Sequence, residues 1–292
     1  MLRNRTLLLS ILKLQSKAFS ALPRRISINF GKMIGLIMYF IIPLRKKVAL
    51  INLKIAFPNL SKTDINLILK KCYTHFGILA SEFLRIPKLN KYNINEIIPL
   101  DSETKKILNN NEPVIIMTGH IGNWEMILPL LGYNNYYTSG VAQIQKNKTG
   151  ENFFNWIRNC DNTELISKKD SINTMNQALD NKKNLILASD QSAGDKGAIS
   201  VFFNTPTSTP KGAAIFHLKK KIPIITLFVI MDANYNYIIN SKLLKFNFNT
   251  EKKDEKIHII NQLYNKELDN IIIKNPEQYF WFHRKWDKEK YK

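Results

Sequence analysis

Short apolar runs alternating with helix-periodic segments predict an α/β fold with a mostly parallel central sheet flanked by helices. Two observations carry that prediction. Residues 113–118 (PVIIMT), 185–189 (LILAS) and 223–231 (PIITLFVIM) are continuous apolar stretches of buried-strand length. Amphipathic or capped helical patterns lie between them. A third observation is that polar clusters at residues 119–125 and 190–197 directly follow two of those strands. In parallel α/β sheets, sites lie beyond the carboxyl ends of strands.

The elements follow in order. Residues 1–22 read as a basic amphipathic helix, with Leu8, Ile11, Leu12 and Phe19 at helical spacing. Residues 45–57 read as a helix ended by Pro58, and Ser61 starts another that runs to about Leu84. Residues 88–100 read as a linker. Asp101 to Asn109 is helical, and Pro113 to Thr118 is the first buried strand. Gly119 to Asn123 is a turn, and Asn123 is placed to cap a helix from Trp124 to Leu131. Tyr136 to Ala142 is a strand, and Glu151 to Arg158 and Ser171 to Asp180 are helices. Leu185 to Ser189 is the second buried strand. Pro210 to Lys219 is helical, Pro223 to Met231 and Tyr235 to Leu244 are strands, and Lys256 to Lys274 is a long helix. Tyr279 to His283 reads as a last short strand, its aromatic ladder a core or interface feature.

The 292 residues have a net charge of +20, and the charge is uneven. Twelve of the Lys and Arg residues lie in residues 1–63, which contain no acid; the remaining 229 residues carry +8. Such a block implies a polyanionic partner. Between Arg24-Arg25 and Arg45-Lys46-Lys47 lies ISINFGKMIGLIMYFIIPL, whose only charge is Lys32. Its uninterrupted apolar run falls short of the roughly 20 residues a spanning helix needs. It suits a segment lying along a membrane interface, its flanking cations on lipid phosphates. The expected organisation is a membrane-anchoring region at 1–47 and a catalytic domain at 48–292, with a monomer favoured. The basic residues are interleaved with apolar ones, and no helix-turn-helix, zinc-finger or RNP pattern appears. This ranks nucleic-acid binding as the rival class, behind contact with a membrane surface.

His120 and Glu125 are the candidate catalytic pair. On a continuous helix they would point about 140° apart. With His120 on the glycine-punctuated turn and Glu125 in the first helical turn, the two meet. A carboxylate then orients the imidazole, whose other nitrogen takes a proton from a hydroxyl. Cysteines 72 and 160 are isolated, and His75, His217, His258 and His283 show no ligand spacing. Neither a metal nor a cofactor is expected, and Cys160 lacks the neighbours of a nucleophile.

GHIGNWEM at residues 119–126 resembles the signature of the bacterial lipid A biosynthesis acyltransferases, the late lauroyl/myristoyl-type enzymes with a histidine-four-acid motif. NLKIAFP at 52–58, Asp190-Gln191, VFFNTP at 201–206, TPKGA at 209–213 and PEQYFWFHRKW at 276–286 resemble further family segments in family order. Asn204 stands where glycine is usual, and Ser200 where proline is common. The resemblance covers residues 25–287. It implies acyl transfer from an acyl carrier protein thioester to a hydroxyl of a phosphorylated lipid A precursor, on the cytoplasmic face of a bacterial inner membrane. His120 would be the base and Glu125 its orienting partner. Arg158 would hold a phosphate or polarise the thioester carbonyl. Asn123, Asp190, Gln191 and Lys211 would contact substrate, and Arg284, in the basic run His283-Arg284-Lys285, a phosphate. Acyl carrier proteins and lipid A precursors are both acidic, which suits the basic chain. The alternative is a glycerophospholipid acyltransferase, whose FPEGxR-type segment is missing from this sequence.

Overall fold

The computed structural model describes residues 2–110, 112–168 and 172–292, without the side chains of residues 2–5. The elements run α1 (Leu2–Ala21), α2 (Arg24–Phe40), α3 (Lys46–Ala56), α4 (Lys62–Phe83), α5 (Ile94–Ile97), α6 (Ser102–Leu108), β1 (Ile115–Thr118), α7 (Ile127–Tyr133), β2 (Thr138–Ala142), α8 (Lys148–Ile157), β3 (Thr163–Ser167), α9 (Ile172–Asp180), β4 (Asn184–Ala188), β5 (Ala198–Phe202), β6 (Thr205–Thr209), α10 (Gly212–Lys220), β7 (Ile224–Met231), β8 (Tyr237–Leu243) and α11 (Lys253–Lys274). The helix expected from Ser171 begins, within the described residues, at Ile172.

The main sheet has the order β3-β2-β4-β1-β7-β8. Its first five strands are parallel, and β8 closes one edge antiparallel to β7. The mostly parallel sheet expected from the sequence is therefore present. Alternate residues of β1 and β7 feed two cores. Ile115, Met117, Ile224, Phe228 and Ile230 pack on one face with α3, α4, α10 and α11. Ile116, Ile225, Leu227 and Val229 pack on the other with α7 and α8. Burial on both faces is why these strands are continuous apolar runs rather than alternating ones. Each such side chain contributes roughly 2 kcal/mol by leaving water.

Two helix starts match their sequence signals. Ser61 accepts from the Asp64 backbone N–H at 3.1 Å, and Asp101 from that of Thr104 at 2.8 Å. Three expectations need correction. Residues 88–100 are packed rather than linking, since Ile94 and Ile98 are fully buried around the single turn α5. Tyr279 to His283 is not a strand; Tyr279 makes one isolated bridge to Ile121. The hairpin β5–β6 and edge strand β3 were not anticipated, being short and weakly apolar. In the hairpin, Phe202 pairs with Thr205, which leaves Phe203 and Asn204 as a two-residue loop at φ 47° and 53°. That turn needs positive φ at both positions, a conformation asparagine tolerates better than most residues, which suits Asn204 to it.

Helix α2 has two apolar faces. Ser27, Ile28, Gly31 and Gly35 are buried against α4. A Cβ on Gly31 would sit 2.6 Å from the Gly77 carbonyl oxygen, so the two backbones touch only because these residues are glycine. Phe30, Met33, Ile34, Ile37 and Phe40 are exposed on the other face. Among the described residues, no helix is long and apolar enough to cross a membrane.

Candidate active site

Strands β1 and β4 are neighbours in register, Thr118 opposite Ala188. Their C-terminal extensions therefore leave the sheet side by side. The first carries His120 and the second Asp190. The Asp190 carboxylate accepts twice from His120: from the backbone N–H at 3.0 Å and from Nδ1 at 2.8 Å. Gly119 lies against it; a Cβ there would come within 3.1 Å of the Asp190 Cβ.

The turn is pinned from several directions. The His120 carbonyl accepts from Phe280 N–H at 2.9 Å, Gly122 N–H donates to the Gln278 carbonyl at 3.0 Å, and Asn123 N–H donates to that of Val229 at 2.7 Å. The imidazole of His75 lies 3.2 Å from the Gly122 carbonyl and donates to it through Nε2. Gly122 has φ +58°, and a Cβ there would lie 2.0 Å from the Val229 oxygen. No other residue fits that position.

With Nδ1–H given to Asp190, Nε2 of His120 carries the free lone pair. It faces the Gln191 amide nitrogen at 3.5 Å, a long contact, while the same amide donates to His283 Nε2 at 3.0 Å. Trp124 and Phe280 line the ring, with centroids 4.9 and 6.3 Å away.

Burial opposes charge on the His120 imidazole, but the Asp190 charge and hydrogen bond outweigh it and raise its pKa. Asp190 is buried, which alone would favour its protonated form. The same imidazole and the His120 N–H, with Lys285, bring it down to about 2. Burial, with the His120 charge adding to it, lowers His283 to about 4 and keeps it neutral.

Glu125 is placed differently from expectation. It is not the hydrogen-bond partner of His120. Its two oxygens bind Arg158, from Nη2 at 2.6 Å and Nε at 2.8 Å, and Oε1 also accepts from Trp124 Nε1 at 3.1 Å. Residues 124–126 form a single 3-10 turn that directs Glu125 toward α8 rather than back toward the imidazole. Arg158 follows α8 and rests its guanidinium over Phe154, 5.0 Å from the ring centroid. A cleft of about 330 Å³ opens beside it, lined by Gln143, Glu151, Asn155, Asn159 and Glu164 among others.

Asn123 caps no helix. It is fully buried, and its amide donates to the Tyr237 hydroxyl at 2.7 Å, so it does not present itself to a substrate. Neither Lys211 nor Arg284 shares a hydrogen bond or ion pair with the His120 cluster among the described residues. Lys211 precedes α10, and Arg284 is exposed with its guanidinium over Tyr291. The structure thus links His120, Asp190 and Gln191 by hydrogen bonds and sets Glu125 and Arg158 beside them through Trp124, while Lys211 and Arg284 make no such bond among the described residues.

Two further neighbours come from the basic run His283-Arg284-Lys285, which the sequence marks for phosphate rather than for the imidazole. His283 shares Gln191 with His120. Lys285 is buried, its Nζ 4.7 Å over the Phe202 ring and without a hydrogen-bond partner among the described residues; desolvation lowers it to about 8 against the charges of Asp190 and Asp269. Both lie in the PEQYFWFHRKW segment, which was the available signal. Cys72 and Cys160 are buried free thiols, and burial pushes Cys160 up to about 11, away from nucleophilic use. Among the described residues, no group of three or more His, Cys, Asp or Glu side chains is arranged to hold a metal ion.

The model of the bacterial lipid A biosynthesis acyltransferase family matches residues 3–288. The chain belongs to that family. It is therefore an acyltransferase-family protein of lipid A biosynthesis, and the family resemblance read from residues 25–287 holds over nearly the whole chain. Comparison with curated proteins found no match.

Proposed function

We propose that the protein is a late acyltransferase that moves a fatty acyl chain from an acyl carrier protein thioester to a hydroxyl of a phosphorylated lipid A precursor. The carrying observation is the His120–Asp190 pair, with one imidazole nitrogen bound and the other open beside an aromatic wall. Asp190 holds the Nδ1–H tautomer. Nε2 takes the proton of the acceptor hydroxyl as its oxygen attacks the thioester carbonyl carbon. The C–O bond forms and a tetrahedral oxyanion results. Collapse breaks the C–S bond, and the leaving thiolate takes the proton from His120. No acyl-enzyme is formed, in keeping with two buried cysteines.

Arg158, steadied by Glu125, supplies positive charge for the oxyanion or an acceptor phosphate. The carboxylates and amides of the adjacent cleft suit sugar hydroxyls. No separate cofactor is needed, since the thioester carries the activated acyl group. The net charge of +20 favours both an acidic carrier protein and an anionic leaflet. Residues 1–47 supply the membrane-facing surface: basic ends and the exposed apolar face of α2, which suit the cytoplasmic side of an inner membrane.

The test is turnover by purified protein of a panel of acyl carrier protein thioesters with tetra- and penta-acylated precursors, read by mass spectrometry. His120→Ala is expected to lower the rate by about 10³-fold or more with an unchanged circular dichroism spectrum. Full turnover by that variant would remove the base. Transfer to lysophosphatidate in place of the glycolipid would move the protein to the glycerophospholipid class.

A further inference from the structure

Arg24 opens helix α2, far in sequence from the catalytic turn, yet a continuous line of side chains joins them. Arg24 Nε donates to Glu82 Oε2 at 2.8 Å. Glu82 lies on α4 and is 2% exposed. The Tyr237 hydroxyl, on the edge strand β8, donates to the same Oε2 at 2.8 Å and accepts from the Asn123 amide at 2.7 Å. Asn123 lies three residues after His120 in the same turn.

The chemistry of the line has one direction. Burial and the Glu82 charge push the Tyr237 phenol well up, so it keeps its proton and gives it to the carboxylate. Its lone pair then accepts the Asn123 N–H and fixes which way that amide faces. Among the described residues, Arg24 Nη2, Glu82 Oε1 and Asn123 Oδ1 are all buried without a hydrogen-bond partner. Three members thus spend little of their hydrogen-bonding capacity on anything outside the line. Arg85 Nε, at 3.7 Å from Glu82 Oε1, is the other cation nearby, and its guanidinium donates to the Phe19 and Leu22 carbonyls. The close packing of α2 on α4 runs through Gly31, Gly35 and Gly77, which take no part in the line. The pair joins a buried carboxylate to a cation whose side chain is 28% exposed, and pairs of this kind add little net stability, which points to positioning as the use of this one.

We propose that Arg24, Glu82 and Tyr237 are positioning residues through which the seating of α2 on α4 sets the geometry of the turn that carries His120. The apolar helix is then part of the catalytic machinery as well as a surface for lipid. The proposal rests on the reading of His120 as the base.

The test uses the full-length protein in detergent micelles with the assay above, so that membrane binding does not limit turnover. Tyr237→Phe removes one hydroxyl and keeps the ring; Arg24→Ala removes the first link. Each is expected to lower kcat about 10-fold with KM for both substrates unchanged, the effect of a slightly misplaced base. The double variant is expected to lose about 10-fold as well, because both changes cut one line. Arg24→Lys, which still offers a cation to Glu82, is expected to recover most of the Arg24→Ala loss. A purely structural role would lower the melting temperature and leave kcat of the folded fraction unchanged. Wild-type kcat in folded Tyr237→Phe and Arg24→Ala, or losses that multiply to about 100-fold, would overturn the proposal. If Arg24→Ala does not fold, Tyr237→Phe decides alone. His120→Ala in the same series separates the two failures: an active His120→Ala removes the site reading, whereas an inactive one beside fully active line variants removes only this proposal.

Discussion

His120 and Arg158 each hold a carboxylate, and the two pairs are built by different means. His120 reaches Asp190 across 70 positions because β1 and β4 are parallel neighbours that end together. Arg158 reaches Glu125 across 33 positions because a 3-10 turn and the end of α8 face each other. The first pair is part of an imidazole that can change its proton at working pH. The second joins two ions at 13% and 16% side-chain exposure, and the guanidinium stays charged throughout. The difference teaches that a histidine-four-acid spacing does not by itself identify the acid on the histidine. Here the motif's acid organises the arginine, and a residue just past the neighbouring strand β4 organises the imidazole.

The comparison breaks most sharply at Asp190. Asp190→Asn keeps an acceptor for Nδ1–H but removes the charge, and is expected to lower kcat/KM about 10²- to 10³-fold. Because Asp190 raises the His120 pKa, its loss moves the acid limb of the pH–rate profile to lower pH. Glu125→Gln leaves Arg158 partly buried beside a neutral amide. It is expected to cost about 2–4 kcal/mol in a denaturant titration and roughly 10-fold in rate. The acid limb is expected to move less than in Asp190→Asn. An equal or larger shift in Glu125→Gln would erase the distinction between the pairs.

The last effect concerns stability against pH. Burial holds His75 at about 4 and His283 at about 4, below the ordinary imidazole value, so the unfolded chain takes up these protons first. Stability is expected to fall as pH drops from about 6.5 to 4. Asp190, at about 2, adds a further loss as pH falls below the ordinary aspartate value toward 2. Melting temperatures between pH 7 and 4 measure this. A midpoint constant through that window would contradict the neutral, buried state of His75 beneath Gly122.

Much of the architecture was legible because its signals are local. Apolar runs at 113–118, 185–189 and 223–231 became β1, β4 and β7, and Ser61 and Asp101 cap the helices they were expected to open. The hairpin β5–β6 was not legible, since VFFNTP has neither long apolar alternation nor a glycine. Its turn depends on Phe203 and Asn204 taking positive φ under the constraint of the α11 contacts, where Asn265 and Asp269 bond to the Val201 carbonyl and the Phe203 N–H. The packed segment around α5 was misread because only four residues are helical and burial comes from distant neighbours.

By itself the sequence determined the strand–turn–helix setting of His120, the glycine that lets Gly122 pass beneath Val229, the basic and apolar N-terminus, and the family motifs. Tertiary structure alone decided which carboxylate meets the imidazole, that His283 shares Gln191 with it, and that Asn123 faces inward to Tyr237 rather than capping a helix. The reason is physical. Apolar runs and glycine positions act on backbone torsions within a few residues, whereas the partners of buried polar side chains are chosen by strand adjacency, which depends on how the whole sheet is ordered.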